Sequence, residues 1–292
     1  MNLTNEFKIK VREAILDKRE NYGGSDSDFS KSLGINNAIY SRLKKGEIDR
    51  IMSDTVWITL GRELQVKVFE DNWKVARTSV YTEIEDNLNF CKSFSKSMVL
   101  VDDCGIGKTY CTKHIIRKMK NTFYVDCSQA KTKQQFIRLL AKTVGIDNQG
   151  KYVDVKANLK YYLTTLEKPL VILDEAGDLE YKAFLELKEL WNGTDGVCGW
   201  YMIGADGLRS KIERGINGKK VGFAEIFSRF SDEFIKLVPN GKTDRQLFYT
   251  DLIGAVASAN LTDKSKVNPL VKQCLSKQTT LRYLETLIKI GA

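Results

Sequence analysis

The stretch SMVLVDDCGIGKTY, residues 97 to 110, limits the possible folds more than any other feature. An apolar run of strand length leads into a short loop with Gly105 and Gly107, then Lys108 and Thr109 open a segment of helical composition. Such a loop can turn successive backbone N–H groups inward at the positive end of a helix, which makes a cradle for phosphate. The usual pattern is G-x-x-x-x-G-K-[ST], and Asp102 stands where its first glycine would be. Asp tolerates a left-handed backbone better than most residues, so the loop is expected to survive with this carboxylate turned away from the phosphates. The charges of Asp102 and Asp103 are expected to lower the affinity. Cys104, Gly105, Ile106, Gly107, Lys108, Thr109 and Tyr110 form the expected binding loop. Lys108 would reach the β- and γ-phosphates, and Thr109 would offer its hydroxyl to Mg²⁺.

A second element strengthens this reading. Leu170, Val171, Ile172 and Leu173 make a buried-strand run that ends in Asp174 and Glu175. Asp174 is the expected partner of the magnesium shell, and Glu175 the base that polarises an attacking water. A loop of this kind followed by a strand ending in an acidic pair is the arrangement of an ATP-binding and ATP-hydrolysing site.

Three regions separate by pattern. Residues 1–70 read as short helices, residues 71–240 alternate apolar strands with helical periods, and residues 241–292 are helical again. The middle region predicts an α/β domain with a mainly parallel sheet, its strands at 97–102, 123–127, 170–175, 200–204 and 233–238. In the first region, FSKSLGINNAIYSRLKKG predicts a helix-turn-helix. Phe29, Leu33, Ile35 and Leu43 are spaced for one small core, Ser30 suits a close helix approach, and Gly34 suits the left-handed turn. Asn36, Asn37, Ala38, Ser41 and Arg42 occupy positions that face a major groove in phage-repressor proteins, with Lys44 and Lys45 near a phosphate strand. A protein-binding helical hairpin is the alternative. Ser53 is expected to cap the next helix.

Composition adds exclusions. Forty-six Lys and Arg against thirty-seven Asp and Glu give a formal charge of +9, compatible with a polyanion partner. No run of about eighteen apolar residues occurs, so no membrane partner is expected, and the charged N-terminal stretch lacks a secretory signal core. A cytoplasmic protein of a bacterium or phage is the expectation. Six scattered cysteines and the single His114 make no recognisable zinc set.

Three polar residues extend the site. Asp206 follows the strand WYMIG, where a γ-phosphate sensor can sit. Arg229 lies in FAEIFSRFSDEFIKLV just before a strand, placed to reach a neighbouring subunit's γ-phosphate. Arg282 in TTLRYLETL could fold back from a helical lid onto the nucleotide. In this order the elements resemble the AAA+ ATPases.

A helix-turn-helix before a compact AAA+ module with VDDCGIGKT, LVILDEAGDL, LKELWNGTDG and FSRF resembles the Mu-phage transposition protein B group and the related IstB-like transposition helpers. The resemblance implies ATP and Mg²⁺ as ligands, DNA-stimulated hydrolysis, and subunits that polymerise as a helical filament or ring on duplex DNA with little sequence preference. It further implies delivery of that DNA to a DDE transposase. Lys131 and Lys133 are the first candidates for contacts with duplex phosphates, and Arg209, Lys211, Lys219 and Lys220 the second. Arg77 and Thr78 are placed near the adenine. Asp102 and Asp206 depart from the usual pattern at their positions. A replication helicase loader or initiator is the alternative function. A transcription regulator with a degenerate site and a small-molecule kinase fit the motifs less well.

Overall fold

The computed structural model describes residues 3–64, 66 and 73–291. The expected junction at residues 70 and 71 lies outside the described residues.

Four helices come first: α1 (Asn5–Glu20), α2 (Asp26–Ser32), α3 (Asn37–Lys44) and α4 (Asp54–Glu63). Each begins at a polar cap, with the side chains of Thr4, Ser25, Asn36 and Ser53 accepting an N–H that has no partner within its helix. Gly34, at φ 69°, turns the chain between α2 and α3. Phe29, Leu33, Ile35, Tyr40, Leu43, Trp57 and Leu60 close one core, which takes in Phe29, Leu33, Ile35 and Leu43 as their spacing predicts.

The central region runs α5 (Ser79–Phe94), β1 (Ser97–Val101), α6 (Lys108–Ile116), β2 (Thr122–Asp126), α7 (Lys133–Val144), α8 (Tyr152–Thr165), β3 (Leu170–Asp174) and α9 (Tyr181–Gly193). It continues through β4 (Gly199–Gly204), α10 (Asp206–Asn217), α11 (Phe223–Arg229) and β5 (Phe234–Ile235). The strands form a five-stranded sheet in the order β2-β3-β4-β1-β5, each pair parallel. Helices cover both faces, which is why β3 and β4 are buried at every residue. Alternate side chains define the two faces. Val99, Val101, Val171, Leu173, Trp200 and Met202 pack under α7–α11, and Leu100, Leu170, Ile172, Tyr201 and Ile203 pack under α5 and α6.

The last region is α12 (Lys242–Asn260), α13 (Val267–Ser276) and α14 (Leu281–Ile290). Its own core also takes in Trp73 and Ala76, from the segment that precedes α5. Asn260 fixes that segment through a reciprocal pair with Lys74, accepting its N–H at 2.6 Å and donating to its carbonyl at 3.0 Å. The first helices dock on the central region by polar ties: Lys142 with Glu63 at 2.5 Å, Asn21 donating to the Arg117 carbonyl at 3.1 Å, and Tyr22 to the Gly145 carbonyl at 3.4 Å.

β1 and β3 each end one residue before the expected 102 and 175, and β5 is shorter by four. Only Phe234 and Ile235 pair with β1, against the expected 233–238. The amides of Leu237 and Val238 leave the ladder to bond a side chain, the Asp102 carboxylate. Gly199 marks a close approach of β4 to α5: an added Cβ would lie 2.4 Å from the Cys91 carbonyl oxygen. Gly199→Ala is therefore expected to destabilise the fold by about 1–3 kcal/mol, read as a lower urea midpoint.

Candidate functional site

The parallel sheet carries the ends of β1 and β3 to one edge, and the motifs meet there. Gly105 (φ 77°) and Gly107 (φ 97°) hold the left-handed conformations that wrap the loop, and Gly107 caps α6. The Lys108 ammonium lies across the loop, donating to the Asp102 carbonyl at 2.8 Å and the Asp103 carbonyl at 2.7 Å. Burial lowers its pKa, opposed by the nearby Cys104, Asp102, Asp174 and Glu175. The Thr109 hydroxyl donates to Asp174 Oδ2 at 2.7 Å. Asp174, only 2% exposed, also accepts the Tyr124 hydroxyl at 2.6 Å, and its Oδ1 accepts the Glu175 N–H at 2.9 Å. Paired hard oxygens at the mouth of a phosphate loop suit Mg²⁺, so the residues fit the ion that the motif implies.

Glu175 is held at φ 51° in a left-handed conformation, which places its side chain outside the sheet edge while Asp174 stays inside. Desolvation, then the negative charges of Asp174 and Asp178, raise its pKa, the direction wanted in a base. The following turn is clamped from a distance. Lys211 donates to the carbonyls of Gly177 and Leu179, the latter at 2.6 Å, and Lys131 pairs with Asp178 at 3.1 Å.

Asp102 behaves otherwise than the left-handed argument supposes. It is absent from the positive-φ residues, so no glycine-like backbone is needed there. The carboxylate is 2% exposed, with Oδ2 accepting the N–H groups of Leu237 and Val238 (the latter at 2.8 Å) and Oδ1 that of Asp103 at 2.7 Å. Its charge is directed to the end of β5. Asp103 is likewise committed, to the Arg245 guanidinium and to the Tyr249 hydroxyl at 2.6 Å, both on α12.

The last helices reach the loop directly. The Leu281 N–H donates to the Gly105 carbonyl at 3.2 Å, and Thr280 packs where a Gly105 side chain would stand. Arg282, exposed, follows immediately on α14. On the other flank the Tyr110 hydroxyl donates to the Trp73 carbonyl at 3.2 Å, which brings the segment before α5 to the start of α6. Thr78 caps α5 with its own hydroxyl, and Arg77 pairs with Glu85 over the Tyr81 ring. His114 accompanies Tyr81 at 3.2 Å.

Other expected site residues are placed less centrally. Asp206 begins α10 with its side chain 82% exposed, 3.9 Å from Arg209. Arg229, at the end of α11, is held by Asn192 Oδ1 at 2.7 Å and the Glu225 carbonyl at 2.6 Å, with its guanidinium 5.2 Å from the centre of the Trp191 ring. Two of the expected DNA contacts face inward. Arg209 donates to the Val101 carbonyl at 3.4 Å and lies over Phe234, and Lys211 is occupied by the turn after Glu175. Arg209 thus braces the end of β1 and Lys211 the turn after Glu175, because a cation beside free carbonyls is drawn to those oxygens. Lys219 is exposed, and Lys220 lies 4.0 Å from the Tyr181 ring centre. Lys133 lies over Tyr152. In the helix-turn-helix, Asn36 is spent as a cap, accepting the Ile39 N–H at 2.8 Å, while Asn37 and Lys45 are exposed. Arg42 pairs with Glu47 at 2.6 Å and Lys44 with Asp26 at 2.7 Å. These exposed pairs are weak and can be exchanged for phosphate.

Tyr124, Arg245, Tyr249 and Thr280 are the contributors that motif reading misses. Their chemistry is ordinary, and only the pairing of distant segments brings them to the loop. Among the described residues no cluster of His, Cys, Asp and Glu could hold a metal by itself, and no helix is long and apolar enough to cross a membrane.

Comparison with known proteins agrees with this architecture. Residues 91–212 match the family model for the AAA domain. The search of curated proteins returns no match. Among solved structures, the chain is similar to the Aeropyrum pernix ORC1 protein in complex with DNA, with a TM-score of 0.53 and 14% identity. The similarity covers 75% of this chain and 60% of that one, so the chain spans less than two thirds of its structural relative. The fold is the AAA+ P-loop fold: a parallel five-stranded α/β sheet between helical N-terminal and C-terminal regions.

Proposed function

We propose that this chain is an ATP-hydrolysing switch that acts on duplex DNA, and that its role is to polymerise on target DNA and present it to a DDE transposase. The observation that carries the ATPase reading is the contact of Thr109 with Asp174, with Glu175 fixed one residue beyond. ATP would lie along the loop amides with Lys108 on its phosphates, Arg77 and Thr78 on the adenine side and Arg282 above. Thr109 and Asp174 would hold Mg²⁺, which when bound supplies positive charge against the phosphate oxygens. Glu175 would accept the proton of the attacking water. Asp206 would face the γ-phosphate side from the end of β4.

DNA as the partner is supported by the net charge of +9 and by exposed cations on Lys131, Lys133, Lys219, Lys220, Arg42, Lys44 and Lys45. The solved relative is itself a DNA complex. The transposition role follows from the sequence resemblance of the loop, the acidic pair and the FSRF segment. Such a protein would work in the cytoplasm of a bacterial or phage-infected cell.

The test compares purified protein with ATP, ADP and a non-hydrolysable analogue, each with and without duplex DNA, by phosphate release and electron microscopy. Duplex is expected to stimulate turnover, and polymers are expected with ATP or the analogue but not with ADP. Absence of ATP binding at saturating concentration would overturn the whole reading. Protection of one defined DNA sequence, without polymers, would transfer the protein to the initiator class.

A further inference from the structure

Asp102 and Asp103 are consecutive, and the carboxylates of both engage the approach to the C-terminal helices or their first turns. Asp102 accepts the amides of Leu237 and Val238, a few residues before α12 begins. Asp103 accepts from Arg245 and Tyr249, one turn apart on α12 and both half-buried. The carbonyls of the same two residues hold the Lys108 ammonium. The two carboxylates thus tie the loop that holds Lys108 to the approach and first turns of α12.

We propose that the Asp102–Asp103 pair positions the C-terminal helices over the nucleotide: Asp102 anchors the root of α12, and Asp103 with Arg245 and Tyr249 latches its first turns to the loop. The departure from glycine at position 102 is then a gain of function for the lid and no handicap to the loop. A glycine there would free the same backbone but leave two amides of residues 237 and 238 without their acceptor. Charge-assisted hydrogen bonds of this kind are the stronger class, and loss of one partner leaves the other half-buried and unpaired. This inference rests on the nucleotide reading for its consequence, which is slow escape of bound ATP or ADP. Its geometric core does not depend on that reading.

The experiment has two arms. In the first, release of a fluorescent ADP analogue is followed by stopped flow for the wild type, Asp103→Asn, Arg245→Gln, the double variant and Asp102→Gly. Release is expected to quicken about tenfold in each single variant, with the double variant no faster than Asp103→Asn. Restoring the consensus glycine with Asp102→Gly is expected to loosen retention as well. In the second arm, hydrogen exchange of the peptide covering residues 237–249 is measured without nucleotide. It is expected to rise in the same variants while exchange in α7 stays unchanged. Wild-type release rates in Asp103→Asn and Arg245→Gln, or strictly additive effects, would overturn the latch. If the wild type binds no nucleotide, the function reading fails, and unchanged exchange in the second arm would still overturn the anchor by itself. Should Asp102→Gly fail to fold, the two latch variants decide.

Discussion

Glu175→Gln is expected to keep ATP binding and to lose turnover by about 10²–10⁴-fold. The substitution preserves the shape of the side chain and removes its capacity to accept a proton. Nothing in the surrounding bonds depends on that carboxylate: the backbone N–H of residue 175 is held by Asp174 Oδ1, and the turn beyond by Lys211 and Lys131. Asp174 keeps its own partners, Thr109 and Tyr124, so the ion-binding oxygens stay in place. Affinity for a fluorescent ATP analogue and the rate of phosphate release are the two readings to set against each other. Turnover that survives in the variant would show that water is activated elsewhere.

On the proposed reading, Arg229→Ala is expected to lose about 10³-fold in DNA-stimulated hydrolysis and to lose polymers, with ATP affinity unchanged. The arginine is braced on three sides, by Asn192, by the Glu225 carbonyl and by the Trp191 ring. None of these contacts is with the phosphate loop of the same chain. Bracing lowers the entropy of presenting a guanidinium to a neighbour's triphosphate. Lysine should not substitute, since its compact ammonium lacks the planar fork that spans two oxygens. Mixing makes the claim sharper. Glu175→Gln subunits have a dead site and an intact finger, and Arg229→Ala subunits have the reverse. An equal mixture is expected to hydrolyse ATP faster than either alone, because some live sites meet an intact finger. A mixture no more active than its parts would place the arginine's role inside its own subunit.

How much of this could be read beforehand depended on the range of the interactions. The ends of β1 and β3 were legible to within one residue, because an apolar run closed by acidic residues is a local signal. The helix-turn-helix core was legible for the same reason, with Phe29, Leu33, Ile35 and Leu43 at helical spacing around Gly34. Two things were not. The early end of β5 is decided by Asp102, more than a hundred residues upstream, and no local pattern in EFIKLV announces it. Arg209 and Lys211 look like surface cations on an amphipathic helix, yet the carbonyls of Val101, Gly177 and Leu179 draw them inward. Charge counts a residue as available; only the topology shows what has already claimed it.

The bond between Asn260 and Lys74 joins positions 186 residues apart, and Trp73 and Ala76 fill a core otherwise built from the last three helices. During synthesis these early residues must wait until the final helices leave the ribosome before their apolar surface is covered. Non-local contacts of this kind form late. A chain stalled anywhere in α12 would carry a complete phosphate loop without the helices proposed to roof it, so the proposed retention of nucleotide would be acquired only after α12–α14 are made.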